Sequence, residues 1–206
     1  LASALFLVGV AMLYGVTGTL AMADMAQKLA AIPAADRGLL HAGLAILAVA
    51  FLAKAAMWPL GFWLVPAYSA ASAPAAAMFA IMTKVGVYAV VRVWTLFFPV
   101  DGASSAFGAD ALVAGGLVTL AFGSLGIMAT QRLGRLAGYS VIVSSGTLLA
   151  AAGFGVPALT GSALYYLASS TLAVAALYLL VELVERARAV EVAPTDEEAE
   201  DDYPLP

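Results

Sequence analysis

From Leu136 to Val181 the chain runs for 46 residues without a charged side chain. As one helix that stretch would be about 69 Å long, at about 1.5 Å per residue. The hydrocarbon core of a bilayer is about 30 Å thick and takes about 20 apolar residues per helical crossing. The run is twice too long for one crossing, so it must fold back. Gly153-Phe154-Gly155-Val156-Pro157 supplies the turn. The rest of the chain agrees: 64% of residues are apolar and 11% charged, where a soluble domain carries about a quarter charged residues. Mean hydropathy is +1.00. The expected fold is all-α, a polytopic membrane helix bundle.

Four further apolar runs complete the bundle. Leu1 to Ala23 carries no charge and gives one span. It has no basic start, no initiating Met and no cleavage site before Asp24, so it does not read as a signal peptide. A second run begins at Leu39 and meets Lys54, with Pro59, Gly61 and Pro66 close behind. Pro74 to Phe98, containing Lys84 and Arg92, is the third, and about Ala111 to Thr130 the fourth. The expectation is six spans, one of them broken around Lys54–Pro66. Starting inside an apolar helix and ending in an acidic linker, the sequence reads as a fragment of a larger subunit.

Charge divides the chain in two. Seven of the thirteen acids lie between Glu191 and Pro206, leaving six acids against nine bases in residues 1–189. We therefore expect a transmembrane domain over 1–189 and an acidic, flexible cytoplasmic segment over 190–206. Orientation follows from Lys and Arg in short loops. Arg132 and Arg135 precede the fifth span, and Arg186 and Arg188 follow the sixth, so both places share a face. The opposite face holds Lys28 and Arg37. Residues 131–135 and 186–206 are expected to be cytoplasmic, and the protein to be a multi-pass protein of the cell (inner) membrane.

Several function classes are excluded. A net charge of −4 argues against nucleic-acid binding, and the absence of cysteine excludes disulfides, iron–sulfur ligation and thiol catalysis. The single histidine, His41, excludes a bis-histidine haem and argues against zinc. No Walker loop, Rossmann fingerprint or catalytic triad occurs. The expectation is no catalytic residue, no cofactor and no metal.

What remains is the charge inside the membrane. A charged side chain at the bilayer centre costs about 2.5–3.5 kcal/mol on insertion scales. Lys84 is the eleventh residue of its span and falls near the midplane. Lys54 lies deep in the second span, and Pro59 and Gly61 should break the helix one turn later. Carbonyls freed there are tolerated only against protein or a water-filled cavity, and such discontinuous helices mark ion sites in transporters. The plain alternative is a pair of buried lysines stabilising a bundle, but this chain has no midplane acid to pair with them. Glu182 sits near a helix end and reads as an i,i+4 partner of Arg186.

Desolvation makes a lysine's protonation sensitive to a neighbouring charge. Lys54 and Lys84 are thus the candidate proton-relay residues. His41, Ser169 and Arg92 are possible members of a proton path, although Arg92 also suits a side chain reaching to the surface, and His41 an interface residue. Ser144, Ser145, Thr147, Ser170 and Thr171 could line a hydrated route or simply bond their own backbone. Gly134/Gly138 and Gly123/Gly126 read as helix-packing pairs.

The run KAAMWPLGFWLVPAYSAASAPAAAMFAIMTKVGVYAVVRVW, Lys54 to Trp94, resembles the central signature of the antiporter-like membrane subunits. These are shared by Mrp-type multisubunit monovalent cation/proton antiporters and respiratory complex I. The stretch from Gln131 to Arg188, with YSVIVSSGTLLAA, is similar to the D-type subunits of the Mrp antiporters. The resemblance implies a fourteen-helix subunit built from two inverted five-helix repeats, of which this chain would match helices six to eleven. Lys54 would be the lysine of the broken seventh helix and Lys84 that of the eighth, joined by a hydrophilic axis. A glutamate on the fifth helix and an ionisable group on the twelfth would lie outside this chain. Where many relatives read LYYLLHST, this sequence has Ser169 in place of the histidine.

The resemblance implies sodium or potassium/proton antiport, with the other subunits of a hetero-oligomeric complex, protons, monovalent cations and lipid as partners. The alternatives are a proton-pumping subunit of complex I or of a membrane-bound hydrogenase, and a purely structural membrane subunit.

Overall fold

The structure, a computed structural model, describes residues 1–29, 31–98 and 107–192. Among them every regular element is a helix: α1 (Ala2–Thr17), α2 (Met22–Leu29), α3 (Arg37–Lys54), α4 (Leu64–Ala70), α5 (Ala73–Phe97), α6 (Ala109–Ala129), α7 (Leu133–Gly153) and α8 (Pro157–Val192). Five are long and apolar enough to cross a membrane, and six spans result if α1 and α2, bent by 53°, count as one. The all-α bundle is as expected, and the expected six spans are reached when that bent pair is taken as one. The 46-residue uncharged run folds back at the expected place. α7 ends at Gly153, Gly155 takes a left-handed φ of 64°, and Pro157 opens α8.

The first span is shorter than the uncharged run that encodes it. α1 stops at Thr17, where Gly18 adopts φ 67° and returns its N–H to the Tyr14 carbonyl. Its 16 residues reach about 24 Å at the helical rise. The polar α2 follows, carrying an Asp24–Lys28 ion pair at 3.1 Å.

Close helix contacts rest on small residues. α6 lies along α7, where a Cβ on Gly123 would stand 2.9 Å from the Val143 nitrogen and one on Gly153 2.7 Å from the Val113 nitrogen. α1 meets α3 the same way, with Gly9 against the Leu47 nitrogen at 2.9 Å. Backbones approach this closely only where side chains are absent. Gly126 packs against the Tyr139 ring and Gly138 touches Val65 at 3.5 Å. Gly134 does not pack: no atom lies within 4 Å of a Cβ built there, because the α7 N-terminus borders a cavity.

Two apolar clusters make the core. One joins Leu13, Leu44, Val87, Val90 and Leu148, and the other Leu64, Val65, Ala80, Val141 and Ile142. α7 contributes to both and lies at the centre, with α5 and α8 beside it. Of the segment expected to be acidic and flexible over 190–206, the first three residues continue α8 to Val192, and 193–206 lie outside the described residues.

Candidate functional site

The break falls at Lys54 itself and not a turn later. Ala56 turns into a left-handed φ of 58°, which ends α3 before Pro59 is reached. The nine residues from Ala55 to Trp63 lie between α3 and α4, and several of their polar groups find partners. The Trp58 N–H donates to the Thr119 hydroxyl at 2.9 Å, and Thr119, fully buried on α6, donates to the Gly115 carbonyl at 2.6 Å. The Trp63 indole donates to the Ala53 carbonyl at 3.1 Å. The Ala53 carbonyl at the end of α3 thus accepts from the indole as well as from the Ala56 N–H at 3.3 Å. α4 then resumes for about two turns, and α5 starts after Ser72 with Pro74 in its first turn.

α5 is locked against this break. A Cβ on Gly86 would lie 3.0 Å from the Ala55 nitrogen and 3.1 Å from the Lys54 carbonyl carbon. Glycine therefore sets how near the two lysine-bearing helices come.

Lys84, two residues earlier on α5, is 2% exposed. Its ammonium donates to the Ser144 hydroxyl on α7, and Ser144 donates onward to the Val141 carbonyl at 3.0 Å. Among the described residues the ion pairs are Lys28–Asp24 and Arg186–Glu182, so no carboxylate pairs with Lys84 or Lys54. The Glu182–Arg186 contact expected from the i,i+4 spacing is present.

Lys54 is exposed, at the C-terminal end of α3, and lines a cavity of about 200 Å³ with Trp63, Ala67, Tyr68, Phe79, Met82 and Thr83. Ser169 lies on α8 and lines a different cavity of about 420 Å³, together with Ser140, Ser144 and Ser170. Ser144 therefore touches that chamber and Lys84 at once. Ser169, Ser170 and Thr147 bond carbonyls of their own helices, at 3.2, 3.3 and 3.0 Å, as the plain reading has it. Of the hydroxyls singled out from the sequence, Ser144 is the one whose bond crosses to another helix.

The other candidates lie apart. His41 stacks on Phe107 with ring centroids 4.4 Å apart. It is thirteen residues before Lys54, about 20 Å along α3. Arg92 sits on the exposed side of α5. Sequence reasoning missed Tyr68, Thr83 and Thr119. Tyr68 stood in the motif, two residues after Pro66, but a tyrosine in an apolar run gives no charge signal.

A broken helix with a lysine at the break and a second lysine buried on the neighbouring helix is the arrangement that the resemblance to antiporter-like membrane subunits implied. The chain belongs to the family described as "NADH:quinone oxidoreductase/Mrp antiporter, TM", whose pattern it matches over residues 1–195. It is 58% identical to the D subunit of a probable K(+)/H(+) antiporter of Rhizobium meliloti (strain 1021), over 91% of this chain and 35% of that protein. With the D subunit of the Na(+)/H(+) antiporter of Bacillus subtilis (strain 168) it shares 37% identity, over 86% of this chain and 35% of the other. Among solved structures it resembles a chain of the Mrp complex from Dietzia sp. DQ12-45-1b, with TM-score 0.75 and 28% identity over 86% of this chain and 32% of that one. A chain of the membrane-bound sulfane sulfur reductase, an archaeal respiratory membrane complex, matches with TM-score 0.78 and 30% identity, covering 86% and 36%. The sequence thus spans about a third of the length of these relatives.

Proposed function

We propose that this chain is the central part of a membrane subunit in a multisubunit monovalent cation/proton antiporter, and that Lys84 and Lys54 carry protons through it. The observation that carries the reading is the buried Lys84 ammonium, held by one neutral hydroxyl beside a serine-lined cavity. A lysine fixed by a carboxylate would stay charged, whereas one held by a hydroxyl can give up its proton without stranding a buried anion. Intramembrane ionisable groups are functional by default. His41, Ser169 and Arg92 are proposed as outlying members of the path, with Ser169 acting through water in its cavity.

The relatives named above are the D subunits of K(+)/H(+) and Na(+)/H(+) antiporters, and the more similar one favours potassium as the exchanged cation. The partners are then the companion subunits, the two ions and lipid, and the chain acts as a secondary transporter without covalent chemistry of its own. The Arg132–Arg135 loop and the Glu182–Arg186 end share one face of the bundle, which we assign to the cytoplasm on its excess of basic residues. Likeness to the sulfane sulfur reductase chain supports a second reading, proton translocation in a respiratory complex.

The test is cation-dependent pH change in inverted vesicles carrying the complete subunit with its companions. Wild type should exchange protons for potassium or sodium, and Lys84→Ala should assemble but lose the exchange. Retained exchange in Lys84→Ala would sink the relay. A Lys84→Met variant more stable than wild type and fully active would instead mark the lysine as structural. Proton movement indifferent to either cation would favour the respiratory reading.

A further inference from the structure

Two cavities meet at one side chain. The first, about 400 Å³, opens between the α4–α5 turn, the start of α7 and the far end of α8, where Ser69, Ser72, Tyr178, Glu182 and Arg186 line it. The second, about 200 Å³, is the open pocket that Lys54 lines together with Tyr68 and Thr83; on its other side Lys54 borders a pocket of about 520 Å³ with Phe51 and Leu60. Tyr68 is the one residue that lines both.

Its placement is firm. Tyr68 is 3% exposed, and its ring is surrounded by those of Trp63, Phe79 and Tyr178 at centroid distances of 6.1, 5.7 and 6.3 Å. The hydroxyl donates to the Phe79 carbonyl at 2.6 Å and shares a second hydrogen bond with the Thr83 hydroxyl, one residue before Lys84. The residue stands on the seven-residue α4, just beyond the helix break. Behind it the Tyr178 hydroxyl is buried without a hydrogen-bond partner.

We propose that Tyr68 is the partition between a polar vestibule at the Glu182–Arg186 end and the Lys54 chamber. Its ring keeps the two from joining into one column of water. Its hydroxyl, which both donates and accepts, is the point where a proton crosses. An O–H bond to the tyrosine oxygen forms from the vestibule side as the existing one breaks toward the chamber, and the phenol stays neutral before and after. Such a wall is what exchange needs, because a continuous water column would conduct protons whether or not a cation moved. This rests in part on reading Lys54 as a proton carrier, and the labelling arm below is independent of that reading.

The experiment uses the complete subunit, made free of cysteine and assembled with its companions in sealed vesicles. Ala67→Cys places a thiol in the Lys54 chamber and not in the vestibule. A small charged methanethiosulfonate is added from the side that carries Glu182 and Arg186. With Tyr68 or Tyr68→Phe present, labelling should be slow. Tyr68→Ala should raise the labelling rate several-fold and let an imposed pH gradient collapse without added cation, a gain that misfolding does not produce. Tyr68→Phe should keep the low leak and lose exchange. If Tyr68→Ala fails to assemble, Tyr68→Val is read the same way. Unchanged labelling and no leak in the assembled variant would overturn the partition. Unchanged exchange in Lys54→Ala would overturn the relay reading alone.

Discussion

Lys84 and Ser144 are 60 positions apart in the chain and meet inside the bundle, ammonium to hydroxyl. Ser144 in turn donates to the Val141 carbonyl, so its oxygen is oriented to accept. The contact ties α5 to α7 and satisfies a charge that neither helix could carry alone. It also places the amine next to the serine-lined cavity that includes Ser169. One hydroxyl thus serves packing and the proposed chemistry together.

Removing that hydroxyl should be felt in stability first. Ser144→Ala leaves a buried donor unsatisfied, a loss of about 1–3 kcal/mol. The thermal midpoint of the detergent-solubilised complex should fall, Ser144→Thr should restore most of it, and Ser144→Ala with Lys84→Met should recover stability without activity. A Ser144→Ala protein that melts like wild type would show that the bond carries no weight.

Thr119 supports the break from a different helix. Thr119→Val keeps the shape but orphans the Trp58 N–H, at a penalty of about 1–3 kcal/mol. Thr119→Ser should behave as wild type. The thermal midpoint of the detergent-solubilised complex gives the readout, with a fall expected in Thr119→Val alone.

The glycines separate close packing from mere presence in a helix. Gly153→Ala would set a Cβ 2.7 Å from the Val113 nitrogen, and overpacking of this kind costs about 1–3 kcal/mol. Gly134→Ala has open space around it and should be neutral or stabilising by up to about 1 kcal/mol from helix propensity. Gly153→Ala should therefore melt below wild type and Gly134→Ala no lower than wild type, and equal shifts would contradict the seam between α6 and α7.

Ser169 tests whether its cavity holds working water. Ser169→Ala should leave exchange nearly intact, since the hydroxyl bonds its own helix at the Tyr166 carbonyl. Ser169→Leu fills the chamber and should slow exchange about tenfold, equivalent to about 1.4 kcal/mol in the barrier. Vesicle assays at matched protein levels decide it, and an unslowed Ser169→Leu would remove this cavity from the path.

Much of this molecule was legible one residue at a time. The uncharged runs set the spans, the Gly153–Pro157 turn set the fold-back, and Pro59 and Gly61 announced a break shortly after Lys54. Each is local: hydropathy, backbone freedom and ring constraint act within a few residues. The misses were also local in origin. The left-handed Gly18 cut α1 short, and Ala56, whose φ of 58° no residue-type rule anticipates, moved the break forward to Lys54.

The sequence by itself determined which charges would sit in an apolar setting, because an amine in an uncharged run is visible without coordinates. Only the tertiary structure decided what each amine meets. That Lys84 finds Ser144 rather than Ser145, one position along α7, depends on the rotation and offset of two helices whose contact residues are 60 positions apart. Tyr68 became a wall between two chambers for the same reason: its neighbours Phe79, Thr83 and Tyr178 come from α5 and α8, and no periodicity in α4 encodes where those helices stop.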